Sequence, residues 1–140
     1  MSQELSEAVV KDFFDRFVTA FSTFNATRVA ELFATPGVAL RGDGSLVPLT
    51  TRDDVLKYYQ AALDGYRQGG CVSCRWSDLE LTGMGDRSAL AAVTWSLLRQ
   101  DGSGLATWRQ SYGLVASDGG AKIFASATHV KRNQATATIE

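Results

Sequence analysis

Apolar residues recur with helical spacing in the first part of the chain and alternate like strands in the second. From Leu5 to Phe21 they fall at Leu5, Val9, Phe13, Phe17 and Phe21, with Val10, Phe14 and Val18 widening the stripe. Glu7, Lys11, Asp15 and Thr19 occupy the opposite side, which predicts an amphipathic helix. Asn25 is an N-cap for a second, shorter helix that buries Val29, Leu32 and Phe33 and ends at Thr35-Pro36-Gly37. Val38 to Arg41 and Leu46 to Leu49 flank Gly42-Asp43-Gly44-Ser45, the pattern of a short hairpin. Pro48 has no N–H to give a ladder, so its strand belongs at a sheet edge. Thr51-Arg52-Asp53-Asp54 reads as a capping box with Asp54 in place of Glu. It opens a third helix burying Val55, Tyr59, Ala62, Leu63 and Tyr66, stopped by Gly69-Gly70.

Four long runs rich in Val, Trp, Leu, Tyr and Ala follow. They are separated by Gly83-Met84-Gly85-Asp86, Asp101-Gly102-Ser103-Gly104 and Ser117-Asp118-Gly119-Gly120. Those separators have turn composition, so the runs form an antiparallel meander. Helices first and strands afterwards predict an α+β fold with the helices on one sheet face. Residues 1–130 read as one domain, and the polar stretch 131–140 as a frayed tail.

The balance of 14 Lys and Arg against 15 Asp and Glu lacks the basic excess of a phosphate-tracking protein, which argues against nucleic-acid partners. No apolar run reaches the roughly 20 residues of a membrane span, and the acidic start does not resemble a secretory signal. The expectation is a cytoplasmic protein without a membrane partner. Cys71 and Cys74 form a C-x-x-C within an extended segment, where residues three apart point to opposite faces. Two ordinary thiols are the simpler reading, with redox or metal chemistry as the other. A zinc site needs two more ligands and the chain has one histidine, so no metal and no cofactor are expected.

Counting outward from the turns places Val93, Trp95, Leu97, Trp108, Gln110, Tyr112, Leu114, Ile123 and His129 on one sheet face. In this register Trp108 lies opposite Leu97, Gln110 opposite Trp95, Tyr112 opposite Ala125 and Trp108 opposite His129. The face is aromatic with two polar groups, so it is the one the helices cover. Ala125 and Ala127 leave either a cavity or room that Phe17, Phe21 and Tyr59 fill. Gln110 can orient a carbonyl or hydroxyl but moves no proton at ordinary pH. His129 is either an acid–base group or a strand-end histidine satisfied by backbone or water. Arg41 and Asp43 are either ligand contacts at the small hairpin or a solvated turn pair. Asp78 and Glu80 share strand parity with Trp76 while Leu79 and Leu81 demand the core, and a bulge near Ser77 resolves the conflict by turning the carboxylates out.

The element order, with Phe13-Phe14-Asp15-Arg16-Phe17, Leu32-Phe33-Ala34, Tyr58-Tyr59, Trp108-Arg109-Gln110-Ser111-Tyr112 and the late His129, resembles the nuclear transport factor 2-like superfamily and its SnoaL-like branch. The resemblance covers roughly residues 5–130. It implies a cystatin-like cone, with a curved sheet wrapped around three helices and an apolar pocket at the wide end. Its members include isomerases, dehydratases, polyketide cyclases, epoxide hydrolases, binding subunits and transport factors, so fold alone decides little. The Tyr and two Asp positions of the ketosteroid isomerases fall on Phe17, on Arg41 (or Asp43) and on Gln110, which argues against that mechanism.

Two functions remain, beside a purely structural dimer as a third reading. One is a module binding a small hydrophobic or carbonyl-containing metabolite through Trp95, Trp108, Tyr112, Tyr59, Phe17 and Arg41. The alternative is an isomerase, dehydratase or cyclase with His129 as acid–base group and Gln110 as orienter. A homodimer is expected through the other sheet face, which carries Ala92, Thr94, Ser96, Arg109, Ser111, Gly113, Phe124, Ser126 and Thr128.

Overall fold

A computed structural model describes residues 5–118 and 120–129, and the tail expected over 131–140 lies outside them. Helix α1 spans Glu7–Phe21, with the Ser6 hydroxyl accepting from the Val9 N–H at 3.2 Å. It buries Val10, Phe13, Phe14, Phe17, Ala20 and Phe21. Helix α2 (Ala26–Ala30) is capped by Asn25 as the sequence predicts, but stops three residues early for its expected apolar side. Leu32 and Phe33 are buried outside the helix, because strand β1 already begins at Phe33 and runs to Leu40. The Thr35-Pro36-Gly37 segment therefore lies inside a strand instead of terminating a helix, at a register shift between Phe33 and Val38.

Strand β2 (Leu46–Leu49) pairs with β1 and carries Pro48 at the sheet edge. Helix α3 (Arg52–Gln68) opens on the expected Thr51–Asp54 capping box, both halves of which are formed. Strands β3 (Ser73–Gly83), β4 (Ser88–Leu98), β5 (Gly104–Ser117) and β6 (Gly120–Thr128) make the meander. The six strands form one sheet in the order β2-β1-β6-β5-β4-β3. The sheet is not wholly antiparallel, because β1 runs parallel to β6. The helices cover its concave face. Phe14 meets Trp76, Trp95 and Tyr112 at ring-centroid distances of 5.9, 6.1 and 5.6 Å.

Two bulges decide which side chains face the helices. In β3 the register shifts between Ser77 and Glu80, and Asp78 takes φ +56°. Asp78 and Glu80 turn outward while Leu79 and Leu81 pack on the core, as the parity conflict predicts. Arg109 holds the turned-out segment, donating from Nη1 to the Asp78 carbonyl at 2.7 Å and pairing with Glu80 at 2.5 Å. In β6, Gly113 pairs with Ala125 but Leu114 pairs with Ile123, leaving Phe124 as the extra residue. Below it the faces exchange relative to simple alternation. Ser126 and Thr128 point into the protein, and Ala125, Ala127 and His129 lie on the convex side. Between β4 and β5 the pairing slides by two residues, so Trp108 faces Trp95 and Gln110 faces Val93 without any change of face.

The two tight hairpins share one pentapeptide pattern, Arg41-Gly42-Asp43-Gly44-Ser45 and Arg99-Gln100-Asp101-Gly102-Ser103. In each, the arginine N–H donates to the serine carbonyl, and the serine N–H and hydroxyl both donate to the aspartate Oδ1. These bonds hold both aspartates below the usual carboxylate range, the serine hydroxyl contributing most. Gly44 and Gly102 sit at φ +89° and +86° with no neighbour in the way of a Cβ. Gly44→Ala and Gly102→Ala should each lower stability by about 1 kcal/mol in urea unfolding through backbone strain alone. Gly104→Ala, with equal space and no positive φ, is the control expected to change little.

Cys71 precedes β3 and Cys74 lies within it, so strand alternation does not relate them, and both are buried, free thiols. Burial pushes both thiols up from the ordinary range, and Cys71 raises Cys74 further. Neither forms a nucleophilic thiolate near neutrality. Iodoacetamide at pH 8 should leave both unmodified for hours in the folded protein and label both in urea. Rapid labelling of either in the native state would contradict this arrangement.

Candidate ligand cavity

The concave face closes on a cavity between α1, α3 and strands β4 and β5. Phe17 and Phe21 come from α1, Val29 from α2, and Tyr59, Leu63 and Tyr66 from α3. The sheet adds Trp95, Leu97, Trp108, Gln110 and Tyr112. Local sequence explains each contribution. The i, i+4 spacing of Phe17 and Phe21, and the i, i+4, i+7 spacing of Tyr59, Leu63 and Tyr66, put each set on one helix face. Trp108, Gln110 and Tyr112 alternate along one strand face. The free space is about 30 Å³, room for on the order of two water molecules. Phe17, Phe21 and Tyr59 thus occupy most of the cone.

Two indole groups organise the polar atoms. Trp95 Nε1 donates to Tyr112 Oη at 2.8 Å, a bond that is buried. Ala91, opposite Tyr112, leaves the ring its space. Trp108 Nε1 donates to Gln110 Oε1 at 2.7 Å, and Thr128 Oγ1 donates to the same oxygen at 3.2 Å. Gln110 is only 4% exposed. Thr128 reaches it because of the β6 bulge, and simple alternation placed that threonine on the opposite face. Phe21, Val29, Leu63, Tyr66 and Leu97 are further lining residues absent from the predicted set, although helix and strand periodicity had assigned all five to buried faces.

Phe17, Tyr59, Trp95, Trp108, Gln110 and Tyr112 converge here, but His129 and Arg41 do not. The His129 residue is exposed on the convex side, with Nε2 2.7 Å from the Ser111 hydroxyl and its backbone N–H donating to the Arg109 carbonyl at 2.8 Å. The extra residue Phe124 removes it from the cone. Arg41 is exposed at the first hairpin, where its backbone serves the turn. The lining consequently holds no carboxylate, imidazole, amine or thiol among the described residues. Among the described residues, no group of three or more His, Cys, Asp or Glu is placed to hold a metal ion, and no helix is long and apolar enough to cross a membrane.

Comparison with solved structures finds the same architecture in bacterial proteins of low sequence identity. An NTF2-like protein with a cystatin-like fold from Novosphingobium aromaticivorans superposes with a TM-score of 0.71 at 12% identity, over 91% of this chain and 83% of that one. A protein of unknown function with a cystatin-like fold from Nostoc punctiforme gives 0.71 at 11% identity, over 95% and 98%. A cystatin-like protein from Caulobacter vibrioides gives 0.68 at 20% identity, over 90% and 89%. At these identities the likeness is one of fold. No curated protein matches the sequence. The family described as NTF2-like protein (DUF6841) matches residues 4–131. With its helices on the concave face of a six-stranded sheet and that match along nearly its whole length, this chain belongs to the NTF2-like family.

Proposed function

We propose that this protein binds a small apolar molecule between α1, α3 and the sheet, without transforming it. The observation that carries this reading is Gln110. It is a neutral amide kept almost fully buried in an aromatic wall, where an apolar residue would avoid the desolvation of a polar group. An apolar cavity with one oriented polar group is the usual form of a small-molecule site. The isomerase, dehydratase or cyclase reading depended on His129, and that ring lies outside the cavity. Entry requires the wall to move, because the free space is far below the roughly 300 Å³ of an occupied site. Tyr66 of α3, half-buried and 6.1 Å from Trp108, lies on the yielding side.

The three tryptophans report on this directly. Ethylbenzene at millimolar concentration should shift the indole N–H resonances of Trp95 and Trp108. It should leave Trp76 in place, since Trp76 donates to Asp15 at 2.9 Å away from the lining. Trp108→Ala should weaken binding at least tenfold, as loss of an aromatic anchor does. It also removes roughly 3–5 kcal/mol of stability as a core truncation, so its affinity is measured on protein with an intact thermal transition. Stationary Trp95 and Trp108 resonances up to the solubility limit of ethylbenzene would refute the reading.

We also propose that two copies pair through the convex sheet face. Two adjacent rows there are largely apolar: Val38-Ala125-Gly113-Leu90 and Leu40-Ala127-Ser111-Ala92. Phe124 lies against the first row, and Val38, Leu40, Leu90 and Phe124 are all exposed in the single chain. Small residues between them permit close approach of a second sheet, and exposed apolar area of this kind marks an interface. Light scattering at micromolar concentration should give twice the 15.1 kDa chain mass, and Phe124→Asp should return it to one. A single 15.1 kDa species for the unaltered protein would reject the pairing.

A further inference from the structure

We infer that the cavity selects neutral hydrogen-bond acceptors, molecules with a ketone, aldehyde, ester or amide oxygen on an apolar frame, through the side-chain nitrogen of Gln110. This rests on the binding reading above and assigns the chemical class of its ligand.

The orientation of the Gln110 amide follows from its neighbours. An indole N–H can only donate, so the amide atom 2.7 Å from Trp108 Nε1 must be the oxygen. Thr128 donates to that same oxygen. A carbonyl oxygen has two acceptor positions, and both are taken. The two Nε2 protons serve neither bond, and Gln110 is a lining residue. The other polar groups of the lining are already engaged. Trp95 Nε1 is bound to Tyr112, and Tyr59, Tyr66 and Tyr112 all have interactions of their own. The Gln110 amide therefore faces a ligand with its nitrogen as donor, its oxygen being doubly occupied. The cavity offers no cation, since neither lysine nor arginine lines it and Arg41 is at the exposed hairpin. A carboxylate entering here would be buried without a counter-charge, and an ammonium or a lone N–H would meet an amide oxygen already occupied by Trp108 and Thr128. A neutral acceptor meets neither penalty. Trp108 has a positioning role in this scheme: it acts on the ligand through the amide it holds in one orientation.

Acetophenone, ethylbenzene and benzoate share a ring and differ at the group that would meet Gln110, so they test the inference in the 140-residue chain. Titration followed by the Trp95 and Trp108 indole resonances should show acetophenone binding about fivefold more tightly than ethylbenzene, the increment of one hydrogen bond. Benzoate should bind more weakly than either. The Gln110 Nε2 protons should move downfield with acetophenone and not with ethylbenzene, a readout that requires no variant. Gln110→Met should bring the two neutral affinities to within twofold while ethylbenzene still binds. Trp108→Phe, which keeps a ring and releases the amide, should narrow the same ratio. Equal affinity for acetophenone and ethylbenzene in the unaltered protein would overturn the inference and leave apolar binding standing. Benzoate binding as tightly as acetophenone would overturn its neutrality. Binding of none of the three would remove both this inference and the function on which it rests.

Discussion

The chemistry of the cone depends on the contact between Phe124 and Gly113. A Cβ at position 113 would lie 2.6 Å from the tip of the Phe124 ring, so the ring occupies space that only glycine leaves open. Phe124 is thereby accommodated as an extra residue in β6, and every side chain after it is displaced by one position relative to β5. Thr128 turns inward to Gln110, and His129 turns outward to Ser111. One backbone irregularity thus gives the buried amide its second donor and takes the chain's single histidine out of reach of a ligand. The same displacement gathers Ala125, Ala127 and Phe124 on the convex side, next to Val38 and Leu40. The interior loses a proton-transfer group as the exterior gains an apolar face.

The interior is otherwise held by aromatic packing across the α1–sheet boundary. Phe14 and Phe17 lie between Trp95 and Tyr112, with centroid separations from 5.2 to 6.2 Å. Burial of each such ring contributes about 1.5–3 kcal/mol, and favourable ring pairs add about 0.5–1.5 kcal/mol. Against that background the polar atoms are tolerated only because they are paired. An indole N–H without an acceptor would lose about 1–3 kcal/mol, which Tyr112 and Gln110 each prevent. The tryptophans thus contribute to the same wall twice, as apolar surface and as the groups that orient its oxygens.

Much of this arrangement was legible in the residues. The helix caps at Asn25 and Thr51, the edge position of Pro48, the meander and the outward turn of Asp78 and Glu80 all follow from local rules that the structure obeys. So does the inward face of β4 and β5, because a register slip of two residues leaves parity unchanged. The face of β6 beyond Phe124 was not legible, since alternation counts residues and cannot see an inserted one. The glycine in the middle of β5 was the available signal, as a strand glycine marks close approach of another group. The extent of β1 was missed for a related reason. Pro36 and Gly37 argue locally for a turn, but the backbone around them is drawn into the sheet by β6, with the Ile123 N–H bound to the Leu32 carbonyl at 2.9 Å. How far the rings would fill the cone depends on helix–sheet distance, which no periodicity encodes.

A filled cone constrains how this protein can hold a ligand. With about 30 Å³ free, any ligand of the size proposed would have to displace side chains, and the work of displacement would subtract from its affinity. The two helical walls differ in how firmly they are anchored. Helix α1 buries six side chains in the core, including Phe13, Phe14 and Phe17, whereas α3 buries only Val55 and Leu63 among the described residues. Its tyrosines are half-buried, with Tyr59 against Phe33 at 4.8 Å and Tyr66 against Phe21 at 5.7 Å. Moving the α3 side therefore exposes less apolar surface than moving α1. The sheet side, fixed by strand pairing and by the indole hydrogen bonds, stays in place. A ligand admitted this way meets a rigid wall carrying one oriented N–H donor and a yielding wall carrying two aromatic rings. On the binding function proposed above, the rigid wall would fix the polarity of what is accepted, and the yielding wall would limit its size.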